Sequence, residues 1–292
     1  MISIHTHSTK IYHLERWRYL ISRRLLNKQR GPDAVRDSLI RGLQDLKIDF
    51  KLNPKQPSEV AIVLSGVCAL KQLIKCKESG ITKSLIAGPN MVAHPREANG
   101  IMLSKEIDVV LVPSKWVADL YAEVVPELTS KVKVWPSGVS ISGSSTRRGS
   151  PIIYDKLGDK ELVSKIQQIL GVSTTVFSYG SFNQRNYLNA LSKAPYLVYL
   201  AKSESQGLAL QEAWAHDVPT LVNKSTHWEA DVLSWDAPQI NCPYLTPELG
   251  TVFENIEELP IMIEHTSSLH PKHYCDEHLS DRASVQKLLS FI

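Results

Sequence analysis

The chain has 292 residues, 43% of them hydrophobic and 22% charged, with a formal net charge of +3. That length suits two domains of ordinary size, that balance suits a soluble globular protein, and the near-neutral charge argues against nucleic acid as a partner. The four cysteines, Cys68, Cys76, Cys242 and Cys275, have neither zinc-ligand spacing nor a small disulfide pattern, and read as free thiols of a reducing compartment.

The first ten residues, MISIHTHSTK, lack the apolar stretch of a secretory leader, and no apolar run approaches a membrane span. A cytoplasmic protein is expected. Residues 10–30 carry seven basic side chains against Glu15 alone. An amphipathic helix over 12–26 is either a solvated basic face or a contact with an anionic membrane surface or acceptor, here the inner face of the membrane. Helical spacing follows at Val35, Leu39, Leu43 and Leu46, then a short strand over 48–52. Apolar runs at 59–66, 84–90, 107–114 and 131–139 predict buried strands, with a helix over 116–124. Buried strands alternating with amphipathic helices imply a parallel sheet covered on both faces.

The Ser-, Gly- and Arg-rich segment 140–151 interrupts the series and reads as a linker or domain boundary. A second series then runs strand 151–156, helix 159–170, strand 173–180, helix 185–193, strand 196–205, helix 208–217 and strand 219–223, and the chain closes on a helix over 282–292. The expected architecture is α/β, with a first Rossmann-like domain over 1–140, a second over 151–281, and a cleft between them. The last helix, 282–292, is expected to pack back on the first domain.

The turn between the strand at 196–205 and its helix carries the clearest chemistry. Ligands of open parallel sheets gather at the carboxyl ends of strands. Gly207 lets the backbone approach a ligand, and the helix behind it, opening at Leu208, offers unpaired N–H groups and a partial positive charge suited to phosphate. Glu204 and Glu212 stand either side of that helix start. Carboxylates near a phosphate make sense as acceptors for hydroxyl groups, and a sugar joined to a nucleoside diphosphate supplies hydroxyls at both ends.

The run ESQGLALQEAWAHDVPTLV, with Glu204, Gly207, Glu212, Ala213, Ala215 and Pro219 in register, resembles the E-x7-E motif of retaining glycosyltransferases with the GT-B fold. The strand–Gly–helix–strand run 177–205 is similar to that family's approach to the motif, with Gly180 in the loop that flanks the nucleotide base. Residues 108–121 and 131–139 look like its last strands before the domain crossover, and 31–43 resembles the helix after its glycine loop. The likeness covers most of the chain from about residue 30.

What the resemblance implies is two Rossmann-like domains facing each other across a cleft, a nucleotide sugar such as a UDP- or GDP-hexose as donor substrate, and a glycan or lipid-linked acceptor on the first domain. It implies retention of configuration, attack from the face the phosphate leaves, no metal and no resident cofactor, in keeping with the absence of an Asp-x-Asp cluster. On this pattern Glu204 reaches the sugar, Glu212 the ribose, and Gln206, Gly207 and Leu208 line the donor. Lys156 is the best match to the pyrophosphate lysine, with Arg147 and Arg148 as weaker substitutes. In the first domain Gly31 matches the glycine loop, and Asn90 and His94 the region of the family's histidine. The chain departs from the pattern in having no Gly-Arg at the start of the second domain and one glycine where many members have two. Two other readings fit the same motif: a nucleotide-sugar epimerase, and a non-catalytic binding protein that keeps the fold.

Overall fold

The computed structural model describes residues 1–7, 31–141, 143–230 and 233–292. The basic segment 10–30 lies outside them. The chain divides into two compact units, Met1–Gly138 with Asp281–Ile292, and Val139–Ser280. Among the described residues no helix is long and apolar enough to cross a membrane.

The first unit is built on β1 (Ile2–His5), β2 (Phe50–Leu52), β3 (Val60–Ser65), β4 (Ser84–Asn90), β5 (Val109–Val112) and β6 (Val132–Val134). They pair in parallel in the order β2-β1-β3-β4-β5-β6. Ala61 to Leu64 and Leu85 to Ala87 are fully buried, because helices cover a sheet of this kind on both faces. Strand β1 was not anticipated: Ile2 and Ile4 alternate with Ser3 and His5 over only four residues, too short a pattern to stand out. The helices are α1 (Gly31–Asp45), α2 (Val67–Glu78) and α3 (Lys115–Val124). Gly31 is the first residue of α1.

The second unit holds β7 (Ile152–Asp155), β8 (Thr175–Ser178), β9 (Leu197–Leu200), β10 (Thr220–Asn223) and β13 (Gly250–Phe253), all parallel, in the order β13-β10-β9-β7-β8. Between β10 and β13 the chain makes an antiparallel hairpin of β11 (His227–Ala230) and β12 (Leu233–Asp236). Helices α4 (Lys160–Leu170), α5 (Gln184–Leu191) and α6 (Leu208–Ala215) connect the strands, and α7 (Leu259–Thr266) and α8 (Pro271–Leu279) follow β13.

The segment read as a linker is not a free one. Ser145 N–H donates to His216 O, Thr146 N–H to Ser192 O and Gly149 N–H to Lys193 O. The Arg147 guanidinium donates to Asp217 O, Asp217 Oδ2 and the carbonyls of Thr266, Ser267 and Leu269. These bonds strap the stretch to the second unit.

The final helix, α9 (Asp281–Leu289), belongs to the first unit. It crosses α1 where Gly42 has no side chain: a Cβ there would stand 2.3 Å from Asp281 O and 2.5 Å from Val285 Cγ2. Arg41 forms a two-pronged ion pair with Asp281, at 2.6 and 3.0 Å. Trp135, fully buried, donates its indole N–H to Ser284 O at 2.9 Å.

Candidate active site

Three turns at the carboxyl edge of the second sheet carry the polar groups. Strand β7 ends at Asp155, whose buried carboxylate accepts the N–H groups of Leu157 and Gly158 at 3.0 and 2.8 Å. That tight turn presents Lys156, whose own N–H is fixed on Leu200 O. After β8 the chain turns through Tyr179 and the left-handed Gly180, with Tyr179 N–H on Asp155 O. The Tyr179 ring is 64% exposed, and Lys156 Nζ lies 4.9 Å from its centroid.

The third turn follows β9 and carries Glu204. Its Oε1 accepts Lys156 Nζ at 2.7 Å and also the Tyr199 hydroxyl. Gly207 takes a left-handed φ of 85° as the residue capping α6, so the turn from Glu204 into the helix suits glycine. Leu208 is the first helical residue, and the leading N–H groups of any helix have no partner within it. The buried Gln206 donates from Nε2 to Gln211 Oε1 at 2.9 Å. The far end of the turn after β8 starts α5 with Asn183 as its cap, and Gln184 Nε2 donates to Glu212 Oε1 at 2.6 Å.

An aromatic floor supports these groups. Tyr154 stacks on Tyr199 at 5.1 Å, and Tyr187, Phe177 and Phe182 meet one another edge-on or tilted at 5.3 to 5.5 Å. Burial, then the Glu204 charge, pushes the Tyr199 phenol well above its ordinary range. Burial and Glu212 do the same to Tyr187. Tyr154 is raised by burial and then by both carboxylates, so it lies within the field of Glu204 and Glu212 together. These phenols stay protonated, and those of Tyr199 and Tyr187 donate to Glu204 Oε1 and Ala209 O.

The residues picked from the sequence thus fall into distinct places. Lys156 and Glu204 touch, Gly207 and Leu208 open the helix behind them, and Glu212 lies along that helix with Gly180 in the neighbouring turn. Arg147 is engaged by the strap, so its guanidinium is not a free substitute for a phosphate cation. Gly31, Asn90 and His94 belong to the first unit. Asn90 ends β4 with its Nδ2 buried and unpartnered among the described residues, and so is His94 Nε2. Tyr199 and Gln184 were not picked out. A tyrosine inside an apolar strand reads as core, and only its place two residues past Leu197, one step from the strand end, hinted at a second role.

No family model matches the chain, and no curated protein matches it. Solved structures do. A lipopolysaccharide outer core galactosyltransferase, WaaB, superposes with a TM-score of 0.58 at 10% identity, covering 99% of this chain and 98% of that one. WaaG, a glycosyltransferase involved in lipopolysaccharide biosynthesis, gives 0.52 at 9% identity, with 97% and 98% covered. TarM gives 0.52 at 12% identity over 87% of this chain and 57% of its own. With two parallel α/β sheets in hand, these likenesses establish the GT-B fold for this chain.

Proposed function

We propose that this chain is a retaining glycosyltransferase that moves a hexose from a nucleoside-diphosphate sugar to a glycan or lipid-linked acceptor. The observation that carries this reading is the contact of Lys156 with Glu204 beside the start of α6: two neighbouring turns bring a cation and a hydroxyl acceptor next to a phosphate-suited helix end. The resemblance in the sequence and the GT-B fold support it.

In this mechanism the leaving diphosphate lies at the α6 start, where backbone N–H groups and the helix dipole favour negative charge. Without ligand Lys156 is held by Glu204. When the diphosphate arrives, Lys156 Nζ swings to a phosphate oxygen, and Glu204 is released to accept a hydroxyl of the sugar. Tyr199 keeps Oε1 aimed during that exchange. Each preorganised donor of this kind contributes about 3 to 4 kcal/mol to a developing anion. Glu212, steadied by Gln184, accepts the ribose hydroxyls. As the glycosidic bond breaks, the departing phosphate takes the acceptor's proton, and the new bond forms on the same face. The donor hexose and nucleobase, and the absence of a metal requirement, are part of the proposal.

Calorimetric titration with UDP and GDP tests it. One of the two binds the native protein, and Glu212→Ala weakens it by about tenfold, the effect of losing a hydrogen bond between a charged group and a ligand hydroxyl. Unchanged binding in Glu212→Ala removes the ribose assignment. Release of the diphosphate on adding a nucleotide sugar with an acceptor, and not without one, separates transfer from epimerisation.

A further inference from the structure

Strands β9 and β10 pair from Leu197 with Thr220 to Tyr199 with Val222, and then diverge. Past that point the backbone of the Glu204 turn has no strand neighbour, yet its polar groups are filled. Asn223 Oδ1 accepts Ala201 N–H at 2.9 Å, and Asn223 Nδ2 donates to Ala201 O at 3.1 Å. Asn241, fully buried, donates from Nδ2 to Ala201 O at 3.0 Å and to Asn223 O at 2.7 Å, and Gln239 Nε2 donates to its Oδ1 at 2.9 Å. One residue earlier, Ile240 O accepts the Glu204 N–H at 3.0 Å, while Ile240 N–H is fixed on Ser225 O at 2.9 Å. Ser225 Oγ reaches Lys202 O at 2.5 Å. The hairpin β11–β12 leaves and returns between Ser225 and Ile240.

We infer that Asn241 is a positioning residue for Glu204: its amide bridges the carbonyls at the ends of β9 and β10 and thereby sets the Ile240 carbonyl that holds the Glu204 backbone. The assignment of a catalytic consequence rests on the proposal that Glu204 contacts the donor sugar. The amide is needed because both groups it bridges are acceptors. A carboxylate of the same shape sets a negative oxygen 2.7 to 3.0 Å from two carbonyl oxygens. Repulsion then parts the strand ends, and the Ile240 carbonyl moves with them. A neutral carboxylic acid regains one donor, so Asn241→Asp carries its own rescue by pH. The carboxyl is buried and faces acceptors, which raises its pKa and brings the rescue into a mildly acidic range.

The decisive measurement is amide hydrogen exchange of the whole chain. Asn241→Asp at about pH 8 speeds exchange of the Glu204 N–H by about tenfold or more, and leaves the β7 amides within about twofold, since a local opening is not a global one. An unchanged Glu204 amide overturns the inference, and so does an equal acceleration in β7, which marks a purely structural role. The second arm uses UDP, GDP and their hexose derivatives. UDP or GDP affinity stays within about threefold, while sugar-dependent turnover falls about tenfold near pH 8 and recovers near pH 5.5, where the acid is neutral. In a Glu204→Ala background the same substitution has no further effect on turnover, because a residue acting through Glu204 cannot be additive with its loss. Full additivity overturns the inference. If the native protein binds neither nucleotide, the proposed function fails, and the exchange arm alone decides the role of Asn241.

Discussion

The carboxyl edges of the two sheets are built alike and finished differently. In the second unit the polar groups at the strand ends answer one another: Glu204 with Lys156 and Tyr199, Glu212 with Gln184, Asn223 with Asn241. In the first the finish is mixed: Thr6 and Asn53 bond each other and Ser65 Oγ donates to Thr6 O, while His5 Nε2 at the end of β1, Asn90 Nδ2 at the end of β4 and Ser114 Oγ just past β5 are buried without a partner among the described residues. A buried polar atom without a partner costs free energy, of order 1 to 3 kcal/mol each. A site whose charges are already paired holds its shape without ligand and must exchange partners to bind. At those three atoms the first edge has no partner to give up. The difference teaches that the second edge is preorganised and the first is costly as it stands.

Four changes break or sharpen that contrast. The largest effect is expected from Glu204→Ala, which strips the second edge of its shared acceptor. Transfer from a nucleotide sugar falls by about 100-fold or more, as for other preorganised electrostatic groups, measured as diphosphate release. A fall smaller than tenfold removes Glu204 from the chemistry.

The second change is acid. Burial, with His7 nearby, lowers the pKa of His5 to about 4 from its usual value. The sign follows: the folded state resists the proton that the unfolded chain accepts, so His5 supports folding above about pH 6.5 and that support is lost as pH falls toward 4. The loss is about 3 kcal/mol, from 1.36 kcal/mol per unit. Urea unfolding at pH 7 and pH 4 checks it, and His5→Asn, which cannot take the proton, flattens this part of the pH dependence. Equal slopes for both proteins remove His5 from the account.

The third change tests the first unit's closure. Gly42→Val forces two methyl groups against Asp281 O and Val285 and is expected to cost about 2 kcal/mol by overpacking. The denaturation midpoint drops, while UDP or GDP affinity, which the proposed function assigns to the second unit, is unchanged. The smallest effect is expected from Tyr199→Phe. Glu204 keeps Lys156 and loses one hydrogen bond to a charged group, about 1.5 kcal/mol or roughly tenfold in turnover. A change as large as that of Glu204→Ala shows instead that Tyr199 takes a direct part.

Much of this organisation could be read from the residues. Long apolar runs such as 60–65 and 84–90 leave little choice but buried parallel strands, and Gly207 between Glu204 and Glu212 marks a turn with a purpose. What could not be read is whatever depends on two distant segments meeting. Asn223 is an ordinary strand-end residue and Asn241 an ordinary loop residue until the ends of β9 and β10 bring the carbonyls of Ala201 and Asn223 to the Asn241 amide. Gln184 is a helix-start glutamine until Glu212 arrives beside it. Residues 140–151 read as a linker or domain boundary because serine, glycine and arginine are common there, and nothing local reveals that Arg147 meets the end of α7. The hairpin β11–β12 escaped because its tryptophans, Trp228 opposite Trp235, sit in strands of four residues with charged neighbours.

The placement of α9 has a consequence for how the chain is assembled. Because the first unit is made of Met1–Gly138 and Asp281–Ile292, the second unit is an insertion within it. A ribosome that has released residue 280 has delivered all of the second unit and an unfinished first one. Until the last helix emerges, Gly42 faces no neighbour, Trp135 has no acceptor for its indole N–H, and Arg41 has no carboxylate. The second unit can therefore complete its fold before the first, against the usual N-to-C order, because the first lacks α9 until residues 281–289 are made.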